Sequence, residues 1–377
     1  MIYLDHAATT PVPRAVAEAM LEVLTEQYGN PSSQYPFGAE MKKRVELWRR
    51  AVAALLDCPP EALAFTSCGT EGDNWALRAA AWQNRRLGRH IVTTAVEHSA
   101  VLEACKQLAQ EGYEVTYIFP DQTGGIAPEQ VLEAVRPDTA AVSLMLVNNE
   151  LGNRYPVEAV ARGLAARNPK TLLHTDAVQG LGTFSARDLG ADFVTVSAHK
   201  IGGPKGIGAL YMGPRVKNPR PLLAGGGQER GLRAGTEATA QMAGFARAAE
   251  LRLERREEIR SHLAGLRARA LERLQGFPDL TVLGGGEMAS HILALSLEGW
   301  PSQNIVNDLG AQGICVSAGS ACHQGKPSHV VAALKLPKRT ASGVIRLSFG
   351  PETAAAEVDA CVEALRRHHD TRMPMLR

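Results

Sequence analysis

Between residues 62 and 213, short apolar runs alternate with longer amphipathic stretches. ALAFTS (62–67) precedes EGDNWALRAAAWQNRR, HIVTTAVEH (90–98) precedes SAVLEACKQLAQEG, and AAVSLMLVNNE (140–150) precedes VEAVARGLAARN. TLLHTDAVQ (171–179), DFVTVSAHK (192–200) and GIGALYMG (206–213) follow. Near-continuous apolar strands separated by amphipathic helices predict an α/β fold with a mostly parallel central sheet covered by helices on both faces. Each run ends in polar residues, and open α/β sheets bind ligands at the carboxyl ends of their strands. Functional residues are therefore expected at those ends.

The pattern changes further along. Residues 214–236 are rich in Gly and Pro and predict a long irregular connection. Residues 241–275 read as a helical stretch dense in Arg, Glu and Leu, and the domain change is expected inside it, near 245. HILALSL and VIRLSFG then read as short strands, and AAAEVDACVEALRRHH as a closing helix. The expectation is a large domain over 16–245. A smaller α+β domain would combine 1–15 with 246–377, the N-terminal dozen residues packing away from the large sheet.

With 377 residues the chain exceeds one ordinary domain. Its 41 Lys and Arg balance 39 Asp and Glu, and aromatic residues make up 5%. That leaves neither the basic footprint nor the stacking platforms of a nucleic-acid binder. Asp5 and His6 stand where a secretory signal would carry its apolar core, and no apolar run approaches the ~20 residues of a membrane span. The six cysteines form no CxxC or regular framework, which fits a reducing cytoplasm.

Several strand ends carry candidate chemistry. In TSCGTE (66–71) a strand meets a helix start, where free N–H groups and the helix dipole suit a phosphate, with Thr70 adding a hydroxyl. Asp176 and Lys200 end successive strands. Pyridoxal phosphate needs such a pair: a lysine for the Schiff base, and a carboxylate that keeps the pyridine nitrogen protonated. Ser197 and His199 stand beside Lys200, and GGPKGIG follows it. His98 offers an imidazole for ring stacking and proton transfer near neutral pH. Asn149 and Gln179 are uncharged groups suited to a substrate carboxylate or a ring hydroxyl. Each of these residues alone is as well explained as a cap, a turn or a solvated side chain; the set is not.

DHAATTP (5–11), TSCGTEGDN (66–74), VEHSAV (96–101), NNELG (148–152), DAVQ (176–179), SAHKIGGPKGIGALY (197–211), GGGQERGLRAGT (225–236), SAGSAC (317–322) and IRLSFG (345–350) occur in that order. The chain resembles the cysteine desulfurases, NifS/IscS-like pyridoxal-phosphate enzymes with the class-V aminotransferase fold (fold type I), over nearly its whole length. The resemblance implies a homodimer that removes sulfur from L-cysteine, releases L-alanine and passes a persulfide to an acceptor protein, such as an iron–sulfur scaffold. It also implies that Gly69, Thr70, Ser197 and His199 hold phosphate, and that Thr236 reaches the partner subunit's site. Asp176 and Gln179 would contact the ring, on which His98 stacks.

Cys322, in SAGSACHQGKPSH, has the flanking residues of an exposed loop spanning 317–327, as an accessible nucleophilic thiol requires. His323 beside it could favour the thiolate. Cys58, Cys105 and Cys361 read as buried packing in helical settings, Cys315 as packing in a strand, and Cys68 as tolerated packing in the phosphate turn. Cys322, His323 and His329 match no zinc spacing, so no metal site is expected. Arg346 stands where the family clamps the substrate α-carboxylate through two parallel hydrogen bonds. By the same resemblance Lys200 takes the Cα proton, His98 carries protons, and the Cys322 thiolate attacks the substrate sulfur. Competing readings are a selenocysteine lyase, another class-V aminotransferase-fold enzyme and a non-catalytic sulfur-relay scaffold. The intact set of Lys200, Asp176, His98 and Cys322 argues against the last.

Overall fold

The computed structural model describes residues 1–318 and 328–371. After the short N-terminal β1 (Ile2–Tyr3), strands β2 (Leu63–Thr66), β3 (His90–Thr94), β4 (Glu114–Ile118), β5 (Thr139–Ser143), β6 (Leu172–Asp176), β7 (Phe193–Ser197) and β8 (Gly208–Met212) build a seven-stranded sheet. Its order is β2-β8-β7-β6-β5-β3-β4. β8 runs antiparallel to both β2 and β7, and every other pair is parallel. β2, β3, β5, β6 and β7 are buried along their whole length, as strands covered on both faces must be. β4 lies at the sheet edge, and its EVTYI has no fully buried residue. With no continuous apolar run, it left no strand signal in the sequence.

The strands end sooner than the apolar runs do. Beyond Ser143 the chain stays extended: Leu144 and Leu146 N–H still donate to the His174 and Asp176 carbonyls, at 3.1 and 2.8 Å. This carries Asn149 past the sheet edge toward the space above β6. Lys200 closes a single 3-10 turn, Ala198–Lys200, directly after β7.

Helices Arg14–Thr25 and Pro36–Leu56 pack against helix Thr239–Glu254. Residue 245, the expected changeover, falls inside that last helix, whose buried Phe245 and Ala249 belong to the first core cluster. The helix stops at Arg255, and Arg256–Arg273 follows with Ile259, Leu263 and Leu266 in a second cluster. That cluster also holds the sheet of β9 (Leu280–Val282), β10 (Ile292–Leu297), β12 (Ser317–Ala318) and β13 (Val344–Ser348), in the order β12-β13-β10-β9. β1 pairs in parallel with β11 (Ile314–Cys315), and Asp5 bridges Ser348, so the first five residues join the second sheet region. Among the described residues no helix is long and apolar enough to cross a membrane.

Candidate active site

The ends of β6 and β7, the turn after β2 and the segment after β1 enclose a cavity of about 420 Å³. Gly69, Thr70, His98, Asn149, Asp176, Gln179, Ser197, His199, Lys200 and Arg346 all line it. These residues were singled out from separate stretches of sequence, and folding brings them to one place. Thr236 is not among the lining residues; it lies exposed at the far end of the irregular 214–236 segment. Cys322 and His323 lie outside the described residues.

The phosphate turn rests on the helix Gly69–Gln83, capped by the extended Cys68. The helix's first N–H groups have no partner within it and point their dipole at the cavity. A Cβ on Gly69 would come to 3.0 Å from Val178 Cγ2, so glycine keeps this turn close to the loop after β6. Cys68 also lines the cavity, its Sγ 3.6 Å from Ser67 Oγ.

Asp176 is buried, and its Oδ1 accepts from Val178 N at 2.9 Å. Behind it stands Asp73, 1% exposed, whose Oδ1 has no hydrogen-bond partner. Burial raises both carboxyls, and Asp73 raises Asp176 further. Ligand atoms of Asp73, Asp176 and His98 lie within 4.8 Å of one another. Buried His174 donates to or accepts from Ser143 Oγ and Thr195 Oγ1 at 2.9 and 3.0 Å, and burial holds its imidazole down to about 4, so it stays neutral. The buried Asp176 carboxyl faces the cavity, and a cation beside it would favour its ionised form. A protonated pyridine nitrogen over Asp176 would be such a cation.

Lys200 Nζ donates to the Ala7 and Ala8 carbonyls at 2.6 and 2.9 Å. Burial and then the Arg346 guanidinium push its amine down to about 8. Such an amine is partly neutral near physiological pH, as a nucleophile or Cα base must be. The N-terminal segment braces the turn from outside: Thr10 N and Oγ1 both donate to the His199 carbonyl, and Thr9 Oγ1 lies 3.1 Å from His199 Nδ1. Burial and Lys200 hold His199 down to about 4, leaving a neutral ring.

Arg346, on β13, faces the cavity from the second sheet. It donates to the Asn149 carbonyl at 2.6 Å and to Asp5 Oδ1 at 2.7 Å, and its buried Nε has no partner. Nη1 and Nη2 have each used one of their two protons, which leaves donors for a further acceptor. His98 accepts from Ala100 N through Nδ1 at 3.2 Å, which leaves the proton of the neutral ring on Nε2. Gln179 donates to the Ala7 carbonyl at 2.9 Å, so its amide also braces the N-terminal segment.

Asp5, Asp73, His174 and the Ala7 and Ala8 carbonyls did not stand out as site groups in the sequence. Asp5 and Asp73 lay within the motifs DHAATTP and TSCGTEGDN, whereas His174 carried no signal beyond an ordinary strand position. One further reading differs from the structure. Cys58 lies just after helix Pro36–Leu56 and not in a helix, although burial still raises its thiol to about 12. His329, which no zinc spacing had marked as a ligand, donates its Nε2–H to the Glu97 carbonyl at 2.8 Å.

The whole arrangement has known counterparts. Residues 2–361 match the family model described as aminotransferase class-V. A cysteine desulfurase IscS of Clostridium botulinum (strain Kyoto / Type A2) is 38% identical over 374 residues, covering 97% of this chain and 93% of that protein. A cysteine desulfurase of Nostoc sp. (strain PCC 7120) is 41% identical over 371 residues, covering 97% and 92%. The solved structure of a NifS-like protein superposes with a TM-score of 0.92 at 36% identity, covering 98% of this chain and all of that one. The chain belongs to the class-V aminotransferase family, whose members are pyridoxal-phosphate enzymes of fold type I.

Proposed function

We infer that this chain is a pyridoxal-phosphate-dependent cysteine desulfurase, converting L-cysteine to L-alanine and leaving the sulfur as a persulfide on Cys322. One observation carries the reading: Lys200 and Asp176, at the ends of neighbouring strands, face one cavity across from the partly unpaired guanidinium of Arg346. The relatives named above support the substrate. When bound, the cofactor supplies an electron sink for the pair left behind when the Cα proton is removed.

Each residue then has a definite task. The N–H groups at Gly69 and Thr70 receive the phosphate, with Ser197 and His199 beside them. Asp176 holds the ring-nitrogen proton. Lys200 anchors the cofactor and then serves as the Cα base. Arg346 binds the substrate carboxylate, with Asn149 next to it, and the His98 Nε2–H is placed to deliver a proton in the cavity. Gln179 orients the ring edge.

The Cys322 thiolate attacks the substrate sulfur: an S–S bond forms, the Cβ–S bond breaks, and cysteine plus thiol become alanine plus persulfide. The placement of β12 supports this. Ser317 pairs with Arg346, so the segment that carries Cys322 leaves the sheet beside the substrate clamp. At its return, Ser328 Oγ donates to Glu150 Oε2 at 2.5 Å, next to Asn149.

The protein works as a homodimer in which Thr236 completes the partner's phosphate site, in the cytoplasm, and delivers sulfur to an acceptor protein. The large unit begins near residue 16 and takes in the whole of helix Thr239–Glu254, beyond the expected limit of 245, and residues 1–15 with the chain from Arg256 onward form the smaller one that carries Cys322. The test is equimolar alanine and persulfide from L-cysteine in a single turnover without added thiol. Alanine only from L-selenocysteine would favour a selenocysteine lyase, and keto-acid exchange without loss of sulfur would favour an aminotransferase.

A further inference from the structure

β2 is an edge strand, with β8 on one side only, yet its free side is not bare. Side chains take the place of an eighth strand. Arg49 donates to the Leu63 carbonyl at 3.2 Å, and Glu229 accepts from Phe65 N at 2.9 Å. Two residues further on, Glu71 Oε2 accepts from Ser67 N at 2.8 Å. Glu229 is itself held by Arg49 through two bonds of 2.7 and 2.9 Å, and Glu71 by Arg233 through two bonds of 3.0 and 3.2 Å. The ladder therefore runs from the start of β2 to the phosphate turn, and the irregular 225–236 segment supplies its outer rail.

Glu71 stands out in this ladder. It directly follows Thr70, in the turn that receives a phosphate dianion, where a free carboxylate would oppose binding. Burial alone would raise its carboxyl, but the bonds from Arg233 and Ser67 hold it below its ordinary range, so it is ionised. Arg233 is the cation that offsets that charge, and it comes from the segment that ends at Thr236. Gly235, with φ of +107°, then turns the chain away.

We propose that Arg233 is a positioning residue for the cofactor phosphate. By pairing with Glu71 it shields the anion from that carboxylate and ties the 225–236 segment to the phosphate turn. The proposal rests on the pyridoxal-phosphate reading above and adds a group to it. It predicts an effect specific to the phosphate, because Glu71 adjoins Thr70 and is not among the residues that line the cavity with Asp176 and Lys200.

The experiment compares pyridoxal phosphate with pyridoxal, which lacks the phosphate, as ligands of the full-length chain stripped of cofactor, followed by the visible band. Binding of pyridoxal phosphate to the unmodified chain tests the underlying reading by itself. Arg233→Met is expected to weaken pyridoxal phosphate about tenfold or more while changing pyridoxal by less than about twofold. Adding Glu71→Gln to Arg233→Met should restore most of the loss, since the unpaired carboxylate is gone. Equal losses for both ligands, or no rescue, would overturn the proposal in favour of a purely structural pair. Should Arg233→Met not fold, Glu71→Gln alone decides: it frees the guanidinium and should raise the preference for pyridoxal phosphate over pyridoxal. A lower preference would refute the idea.

Discussion

Arg346 Nη2 donates to Asp5 Oδ1 at 2.7 Å, joining the fifth residue of the chain to the second sheet at the mouth of the cavity. The contact pairs the guanidinium with a carboxylate, while one proton on each NH2 group is left over. A substrate carboxylate must share this cation with Asp5, so the net gain is smaller than for an isolated arginine. Arg346→Ala should raise KM for cysteine about ten- to a hundredfold, ~1.5–3 kcal/mol. Asp5→Asn should affect KM far less. Steady-state kinetics on both variants checks this, and an unchanged KM in Arg346→Ala would return the residue to an internal ion pair.

The holoprotein should be yellow, and borohydride should bleach it with the reduced cofactor on Lys200. Lys200→Ala should still bind cofactor without a covalent bond but lose turnover by several orders of magnitude, because anchor and base vanish together. Peptide mapping of the reduced protein reads this directly. An adduct on another lysine would contradict the site.

Cys322→Ser should separate the two halves of the reaction. Cofactor binding and the spectral change on adding cysteine should persist, while persulfide and sulfide formation collapse. Sulfide release at the unmodified rate would assign the nucleophile to another group. Cys58, Cys105 and Cys361 are poor alternatives, since burial raises each thiol to about 12.

Reconstitution with cofactor should depend on pH in a definite direction. The free Lys200 amine has its pKa lowered to about 8, and only the neutral form attacks the aldehyde. The rate at which the visible band develops should therefore rise with pH and level off above about 8. An ordinary exposed lysine, near ~10.4, would keep rising well beyond that. A rate that continues to climb past pH 9 would show that burial has not shifted this amine.

Arg49 and Glu229 form an ion pair with both side chains almost fully buried. Glu229 and Arg230 both take left-handed backbone conformations, at φ of 47° and 60°, which the pair helps hold. Glu229→Gln removes one charge and leaves buried Arg49 with only the half-exposed Glu46, 3.3 Å from its Nε, as counterion, so urea unfolding should show a loss approaching ~3–5 kcal/mol. A loss within ~0.5 kcal/mol would mean that water or a neighbouring group takes over the guanidinium.

Much of this site was legible because strand-end chemistry is local. Asp176 and Lys200 each stand at or just past the end of a mostly apolar run, where a strand buried on both faces meets the cavity. Edge strand β4 escaped because partial exposure breaks the apolar run that identifies a strand. The helix break at Arg255 escaped because a dense Arg and Glu pattern continues through it, and the two helices differ only in which core they face.

The sequence by itself determined the α/β class, the buried strands of the large sheet and most of the residues that line the cavity, because hydrophobic patterning and motifs are properties of short segments. Only the tertiary structure decided that Asp5 meets Arg346, that Ala7 and Ala8 cradle Lys200, that Asp73 stands behind Asp176 and that Arg233 guards Glu71. These are contacts between charged or polar groups far apart along the chain. Their free energies depend on burial and on partners a few ångströms away, and neither is set until the two sheets and the N-terminal segment have packed together.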